Sequence, residues 1–155
     1  MEEKLIQTKI KVLKIEELSS SEKKLIKEAN KQSLMAYAPY SNFQVGSALL
    51  LENGEIIGGN NQENSSFSAG ICAERVALFS AKSQYPSVNI LTLAIVAKKN
   101  EHTTESPVCP CGICLQALLE YEEKQNKPIK LILAGKKEVY IIEKIKDCLP
   151  LSFKM

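Results

Sequence analysis

The sequence predicts a layered α/β domain with a mixed sheet. Strand-like segments alternate with amphipathic helical segments along most of the chain, which is typical of α/β domains. The dipeptide Asn53-Gly54 lies between two β-rich runs and predicts an antiparallel hairpin, so the sheet should not be wholly parallel. At 155 residues the chain has the length of about one domain, and we expect a single domain over residues 1–155.

The N-terminal region predicts an arm followed by a helix. Residues 1–18 alternate only partly between apolar and polar side chains, which favours an N-terminal arm or an edge strand. Ser19 and Glu22 have the spacing of a capping box, so a helix should begin there. Its predicted buried face consists of Leu25, Ile26, Ala29 and Leu34.

The remaining elements follow in a regular order. The predicted hairpin FQVGSALLLENGEIIGGN is followed by a helix from about Cys72, a strand at 89–98, a helix from about Gly112 and the strands IKLILAG and EVYIIE. The run at 89–98 is almost wholly apolar, as expected of a central strand covered on both faces. In such sheets the N-termini of helices gather beside the ends of strands, and ligands commonly bind there. The two later helices could therefore begin next to each other.

Composition and charge limit the classes of partner. Twenty Lys and Arg against 18 Asp and Glu give a net charge of +2, which is too small to favour nucleic acid as a primary ligand. No run reaches the roughly 18 apolar residues of a membrane span, and the first residues lack a signal-peptide profile. We therefore expect a cytoplasmic protein with no membrane partner.

Three of the five cysteines have the pattern of a metal site. Cys111 and Cys114 lie one helical turn apart at a predicted helix start, and Cys72 stands at the start of the other helix. A helix N-terminus stabilises a thiolate, which is the form that binds metal. Three protein ligands and one open position are typical of catalytic zinc, whereas structural zinc normally has four ligands.

Other interpretations of these cysteines remain open. Cys111 and Cys114 could form a redox pair, although Cys72 would then have no role. Cys109 and Cys148 are predicted to be small buried apolar residues outside the site. If Cys109 were instead a fourth ligand, the zinc would be structural. His102, the only histidine, lies in a polar loop and is not expected to be a ligand.

Two charged residues follow Cys72 on the same helix. Glu74 could move protons near the open metal position, or could simply be an acidic residue favoured at a helix N-terminus. Arg75 could donate to the thiolates and reduce the excess negative charge of a three-thiolate site, or could be a solvated helix arginine.

At five separated motifs in the same order, the sequence resembles the homotetrameric zinc-dependent cytidine deaminases of nucleoside salvage. The motifs are YAPYSNFQVGSALL, NNQENSSF, CAER, PCGICLQ and LPLSF, and the resemblance runs from about Ala38 to Phe153. It implies a three-layer α/β/α cytidine-deaminase-like fold with a mixed five-stranded sheet. It also implies one zinc per chain on Cys72, Cys111 and Cys114, with Glu74 as proton shuttle and Arg75 bonded to sulfur.

The resemblance further implies the substrate contacts. Phe43 would pack on the pyrimidine, and Asn61 and Glu63 would bind the ribose hydroxyls. The backbone N–H of Ala73 would face the pyrimidine. Phe153 would stack on the base in a neighbouring subunit's site, so active sites would be shared within a homotetramer.

Two positions depart from the family pattern. Leu115 stands where the family usually has arginine, so charge compensation would fall more on Arg75 and the helix dipoles. Phe67 replaces a common tyrosine and removes a hydroxyl that can bond across subunits.

The expected activity is hydrolytic deamination of cytidine and 2'-deoxycytidine to uridine and 2'-deoxyuridine, with release of ammonia. One alternative is another cytosine nucleoside such as blasticidin S, although Asn61 and Glu63 favour a plain ribose. A second alternative substrate is cytosine within a polynucleotide, which the low net charge disfavours. A binding module with a structural zinc is a third, and it would leave Glu74 without a task.

Overall fold

Residues 1–154 are described in the computed structural model of the chain. The strands are β1 (Lys11–Leu13), β2 (Phe43–Leu51), β3 (Ile56–Asn60), β4 (Ile90–Lys99), β5 (His102–Thr103), β6 (Lys130–Ala134) and β7 (Val139–Ile142). The helices are α1 (Ser20–Ser33), α2 (Ala73–Gln84) and α3 (Gly112–Gln125). Short 3-10 turns cover Ile15–Glu17, Phe67–Ala69 and Ile145–Asp147.

The strands form one mixed sheet in the order β1-β7-β6-β4-β2-β3, with β5 paired to β4. As predicted, β4 is central, because it pairs antiparallel with β2 and parallel with β6. The prediction of five strands is wrong in number, since the described residues form seven. The two additional strands, β1 and β5, have only three and two residues. Such short strands form through their pairing partners and leave little periodicity in the sequence.

Helices cover both faces of the sheet, which gives the predicted three layers. Leu93 and Ile95 of β4 pack in the core shared with α2 and α3. Ala94 and Val96, which alternate with them, pack in the core shared with α1. Alternation of this kind explains why the segment is apolar throughout.

Helix α1 begins as predicted and ends earlier than its pattern suggests. Ser19 accepts from the Glu22 N–H, and the Glu22 carboxylate accepts from the Ser19 N–H at 2.9 Å, which confirms the capping box. The prediction that Leu34 is buried is wrong: it caps the C-terminus of α1 and is 63% exposed. Ser33 is buried in the last turn of the helix instead.

The N-terminal arm supplies the edge strand that the sequence allowed. β1 pairs antiparallel with β7, and an ion pair joins Lys11 to Glu143. The Thr8 hydroxyl also donates to the carbonyl of Asp147. The arm thus covers one edge of β7.

No helix among residues 1–154 is long and apolar enough to span a membrane.

The hairpin around Gly54 places the start of α2 against the sheet. β2 and β3 pair antiparallel, and Gly54 has a φ of 89°, which glycine adopts without strain. The buried Ser47 hydroxyl donates to the carbonyl of Ala73 at 2.8 Å. A Cβ at Gly59 would lie 2.5 Å from the same carbonyl oxygen, so only glycine allows the helix to approach this closely.

Candidate metal centre and active site

The N-termini of α2 and α3 meet at a cluster of three thiols. Cys72 is the N-cap of α2, Cys111 is the N-cap of α3, and Cys114 lies in the first turn of α3. The Cys72 and Cys111 sulfurs are 4.0 Å apart, and those of Cys111 and Cys114 are 3.5 Å apart. All three sulfurs lie within 4.8 Å of one another, so the structure brings the predicted ligands together.

This geometry fits a zinc ion. With Zn–S bonds of about 2.3 Å in a tetrahedron, neighbouring sulfurs lie roughly 3.8 Å apart. The two distances above fall on either side of this value. Zinc prefers thiolate donors, and two helix N-termini supply favourable dipoles for them. The cluster therefore suits one zinc ion per chain held by three cysteines.

The three thiols differ in acidity. A hydrogen bond from Cys114 is the main reason that the pKa of Cys72 falls to about 5, with smaller contributions from Arg75 and Cys111. The same hydrogen bond, together with burial, raises the pKa of Cys114. Without metal, the negative charge therefore resides on Cys72. A bound metal must displace the proton of Cys114.

Glu74 is a buried carboxylic acid next to the thiols. Glu74 is 5% exposed and lies in the first turn of α2. Burial is the main cause that raises the pKa of Glu74, and the charge on Cys72 raises it further. A raised pKa brings a carboxyl group closer to neutral pH, which favours its exchange of protons with a substrate.

Arg75 provides the positive charge of the cluster. Its Nη2 lies 4.0 Å from the Cys72 sulfur. Its Nε is buried, and within residues 1–154 it has no hydrogen-bond partner.

Leu115 is 6% exposed and packs in the core shared by α2 and α3. Its position explains why an apolar residue fits there.

A cavity of about 730 Å³ opens beside the thiol cluster. Most of the predicted site residues line it, namely Phe43, Asn61, Glu63, Cys72, Ala73, Glu74, Arg75 and Cys111. Cys114 is fully buried behind this lining. Phe153 also lies outside the cavity of its own chain, but on the surface, since it is 72% exposed.

Asn61 is held by the backbone of β2. Its Oδ1 accepts from the Val45 N–H at 2.7 Å, and its Nδ2 donates to the Phe43 carbonyl at 2.9 Å. A primary amide has two donor hydrogens and two acceptor lone pairs, so one of each remains for a ligand. The amide is thus oriented before any substrate binds.

Glu63 is oriented by residues that the sequence analysis did not assign to the site. It accepts from the Tyr40 N–H at 2.9 Å and the Ser41 N–H at 3.3 Å. The Ser41 hydroxyl also donates to Glu63, and this bond is the main reason that the pKa of Glu63 is lowered. Tyr40 and Ser41 belong to the motif YAPYS, so that motif was the available signal. The carboxylate is kept charged at the cavity wall.

Phe67 and Cys109 also line the cavity. Phe67 stands edge to face with Tyr40, with ring centroids 6.3 Å apart, at the cavity wall. The prediction that Cys109 is buried is wrong, because it is exposed and lines the cavity. It is also not part of the three-sulfur group among the described residues. Cys148 is half-buried against the core, as predicted. His102 was predicted to lie in a polar loop, but it is the first residue of the short strand β5, where it is exposed.

The site combines three thiols at paired helix N-termini with a buried carboxyl group and an open cavity. This combination is typical of a zinc-dependent hydrolytic enzyme. The family model for the cytidine and deoxycytidylate deaminase zinc-binding region matches residues 19–127. The chain belongs to this family, whose zinc-dependent deamination of cytidine serves pyrimidine salvage.

Individual relatives agree with this membership. The cytidine deaminase of Halalkalibacterium halodurans is 47% identical over 96 residues, which cover 62% of this chain and 68% of the relative. That of Sporosarcina psychrophila is 48% identical over 98 residues, covering 63% and 68%. The crystal structure of the Burkholderia pseudomallei cytidine deaminase matches with a TM-score of 0.73 at 33% identity, over 88% of this chain and all of that one.

Proposed function

We propose that this site hydrolyses both cytidine and 2'-deoxycytidine to the corresponding uridine nucleosides and ammonia. The observation that carries the proposal is the position of Glu74, a buried carboxylic acid beside three metal-binding thiols at the wall of a nucleoside-sized cavity. A structural zinc site needs no such acid and no open cavity.

Each wall of the cavity has a proposed task. Phe43 packs on the pyrimidine ring, and the free N–H of Ala73 at the first helical position donates to its carbonyl oxygen. Asn61 and Glu63 bind the ribose hydroxyls with the donor and acceptor capacity that their backbone contacts leave free. These contacts orient the 4-amino carbon towards the thiol cluster.

Glu74 carries the protons in this proposal. When bound, the zinc ion activates water as a Lewis acid. Glu74 takes a proton from the attacking water and gives it to the ring nitrogen. It then takes the second proton from the hydroxyl group that the water has become and delivers it to the departing amine. The C–N bond to the amino group breaks and a C–O bond forms, so cytidine and water become uridine and ammonia. Arg75 lowers the charge of the thiolates.

The partners of the chain are part of the same proposal. The substrate is a small nucleoside, and nucleic acid is disfavoured as a partner because the net charge is only +2. The chain forms a homotetramer in which Phe153 covers the pyrimidine bound by a neighbouring copy. The exposed ring, which lies outside the cavity of its own chain, supports this arrangement.

An ultraviolet assay of substrate loss tests the activity. Cytidine and deoxycytidine should both be consumed, whereas free cytosine should react poorly because it lacks the sugar that Asn61 and Glu63 hold. Turnover of blasticidin S in preference to cytidine would favour the alternative nucleoside. No turnover by the zinc-loaded protein would favour a structural metal site.

A further inference from the structure

One side-chain amide fastens the C-terminal segment to α3. Gln116 lies on α3, two residues after the metal ligand Cys114. Its Nε2 donates to the Phe153 carbonyl at 3.1 Å, and its Oε1 accepts from the Phe153 N–H at 3.2 Å. The amide thus pairs with both backbone polar groups of a single residue, as a neighbouring strand would.

Other side chains of α3 hold the segment on either side of this point. Glu122 is buried and accepts from the N–H groups of Ile145 and Lys146 at 2.8 and 3.0 Å. Glu123 forms an ion pair with Lys154. The same helix that carries two metal ligands therefore also holds the C-terminal segment at residues 145–146 and 153–154.

The fastened residue exposes its ring. Phe153 is 72% exposed although both of its backbone polar groups are bonded. Ordering a residue costs conformational entropy of the backbone, which an exposed ring does not recover by burial within its own chain. The ring becomes useful when a second copy of the chain brings its cavity to it.

We propose that Gln116 is a positioning residue that sets the Phe153 ring over the pyrimidine bound by a neighbouring copy. This inference rests on the proposed sharing of active sites. Gln116 touches neither substrate nor metal and acts through the backbone of Phe153. Because Gln116 and Cys114 lie on one helix, the helix that binds the metal of one site also supports the lid of another.

Steady-state kinetics give the first test. Since each of the two neutral hydrogen bonds is worth roughly 2- to 12-fold, Gln116→Ala should raise KM for cytidine about 5- to 100-fold, with kcat and zinc content nearly unchanged. The effect should not exceed that of Phe153→Ala, and the double variant should match Phe153→Ala alone. Additive effects of the two substitutions would overturn the inference.

Release of the C-terminal residues by carboxypeptidase gives a readout independent of activity. Release should be faster from Gln116→Ala than from the unmodified protein. Gln84→Ala is the matched control, since that amide bonds only to Ser80 within α2. It should change neither KM nor release. An unchanged rate of release from Gln116→Ala would contradict the proposal that Gln116 holds the backbone of Phe153.

Hybrid assemblies decide whether Gln116 acts on its own site or on a neighbour's. Chains with Glu74→Gln are inactive but keep an intact C-terminal segment, so mixing them with Gln116→Ala chains should restore a low KM at the active sites. Persistence of the raised KM would show that Gln116 acts within its own subunit. Phe153→Ala chains are mixed in parallel: if those are not rescued, the shared site itself is wrong, whereas rescue of Phe153→Ala alone overturns only the role of Gln116.

Discussion

Glu74 is the residue on which the chemistry depends, because it is the buried carboxylic acid at the cavity wall. Glu74→Gln preserves shape and hydrogen bonding but removes the titratable oxygen. We expect turnover to fall about a hundredfold to ten-thousandfold, which is the usual cost of losing an acid/base group. The fold and the bound zinc should be retained. Cytidine loss, zinc content and circular dichroism check this expectation. Near-normal turnover would exclude the shuttle role.

The acidity of the thiols predicts how zinc binding depends on pH. Cys72, with a pKa of about 5, is already a thiolate at pH 6, whereas Cys114, with a raised pKa, is still protonated. Binding must therefore release at least one proton, and zinc affinity should rise about tenfold or more per pH unit between pH 6 and 8. Calorimetry in buffers of different ionisation enthalpy counts the protons.

A substitution series checks the ligand set in the same assay. Cys111→Ala should lose tightly held zinc, because two thiolates leave the ion incompletely bound. Cys148→Ala is the matched control and should keep both zinc and activity. Full zinc content in Cys111→Ala would contradict the three-cysteine centre.

At the level of single residues, the thiol cluster was predictable and its support was not. Cys72, Cys111 and Cys114 stand at helix starts that can be recognised in the sequence, so their meeting follows from the layered sheet. The bonds from Ser41 to Glu63 and from Gln116 to Phe153 join residues 22 and 37 positions apart. No local pattern indicates such pairs. Cys109 was misplaced because composition alone does not distinguish a buried cysteine from one at a cavity wall.

Among the elements, the start of α1 combines local and long-range stabilisation. Glu22 completes the capping box and forms an ion pair with Lys130 of β6 at 2.9 Å. The bond to Lys130 is the main cause that lowers the pKa of Glu22 from an ordinary 4.5 to about 2. This contact therefore joins the N-terminus of the helix to the sheet beneath it.

We expect Glu22→Gln to destabilise the protein by about 1 kcal/mol at pH 7, since it keeps the capping geometry and loses the charge. A lowered folded-state pKa stabilises above 4.5, and that stabilisation is lost as the pH falls through about 2. The difference between the two proteins should shrink over this interval. Urea unfolding from pH 7 to pH 2 measures it. Glu16→Gln, at an exposed position of the preceding 3-10 turn, is the control.

The longer elements were predictable because their side chains repeat with a clear period. Helix α1 begins at its capping box, and β4 is apolar because both of its faces are covered. β1 and β5 could not be counted in advance, since three and two residues carry no period. Leu34 fits the helical spacing, yet the chain leaves the helix before that turn is complete.

At the scale of the whole molecule, the proposed assembly lets one chain complete the active site of another. The cavity is lined by residues between Tyr40 and Cys111, and the aromatic ring of Phe153 lies outside it. For the proposed homotetramer, light scattering should give four times the 17.2 kDa of a single chain. A monomer with full activity would contradict the shared site.

Within that assembly, Phe153→Ala should raise KM for cytidine and leave the metal in place. Stacking of an aromatic side chain on a base contributes about 1–3 kcal/mol where it has been measured, so we expect a loss of roughly tenfold to a hundredfold in kcat/KM. Leu151→Ala is the matched control, because Leu151 is 84% exposed in the same segment and has no proposed contact with the base. Equal losses in the two variants would show that the segment as a whole, and not the Phe153 ring, supports cytidine binding.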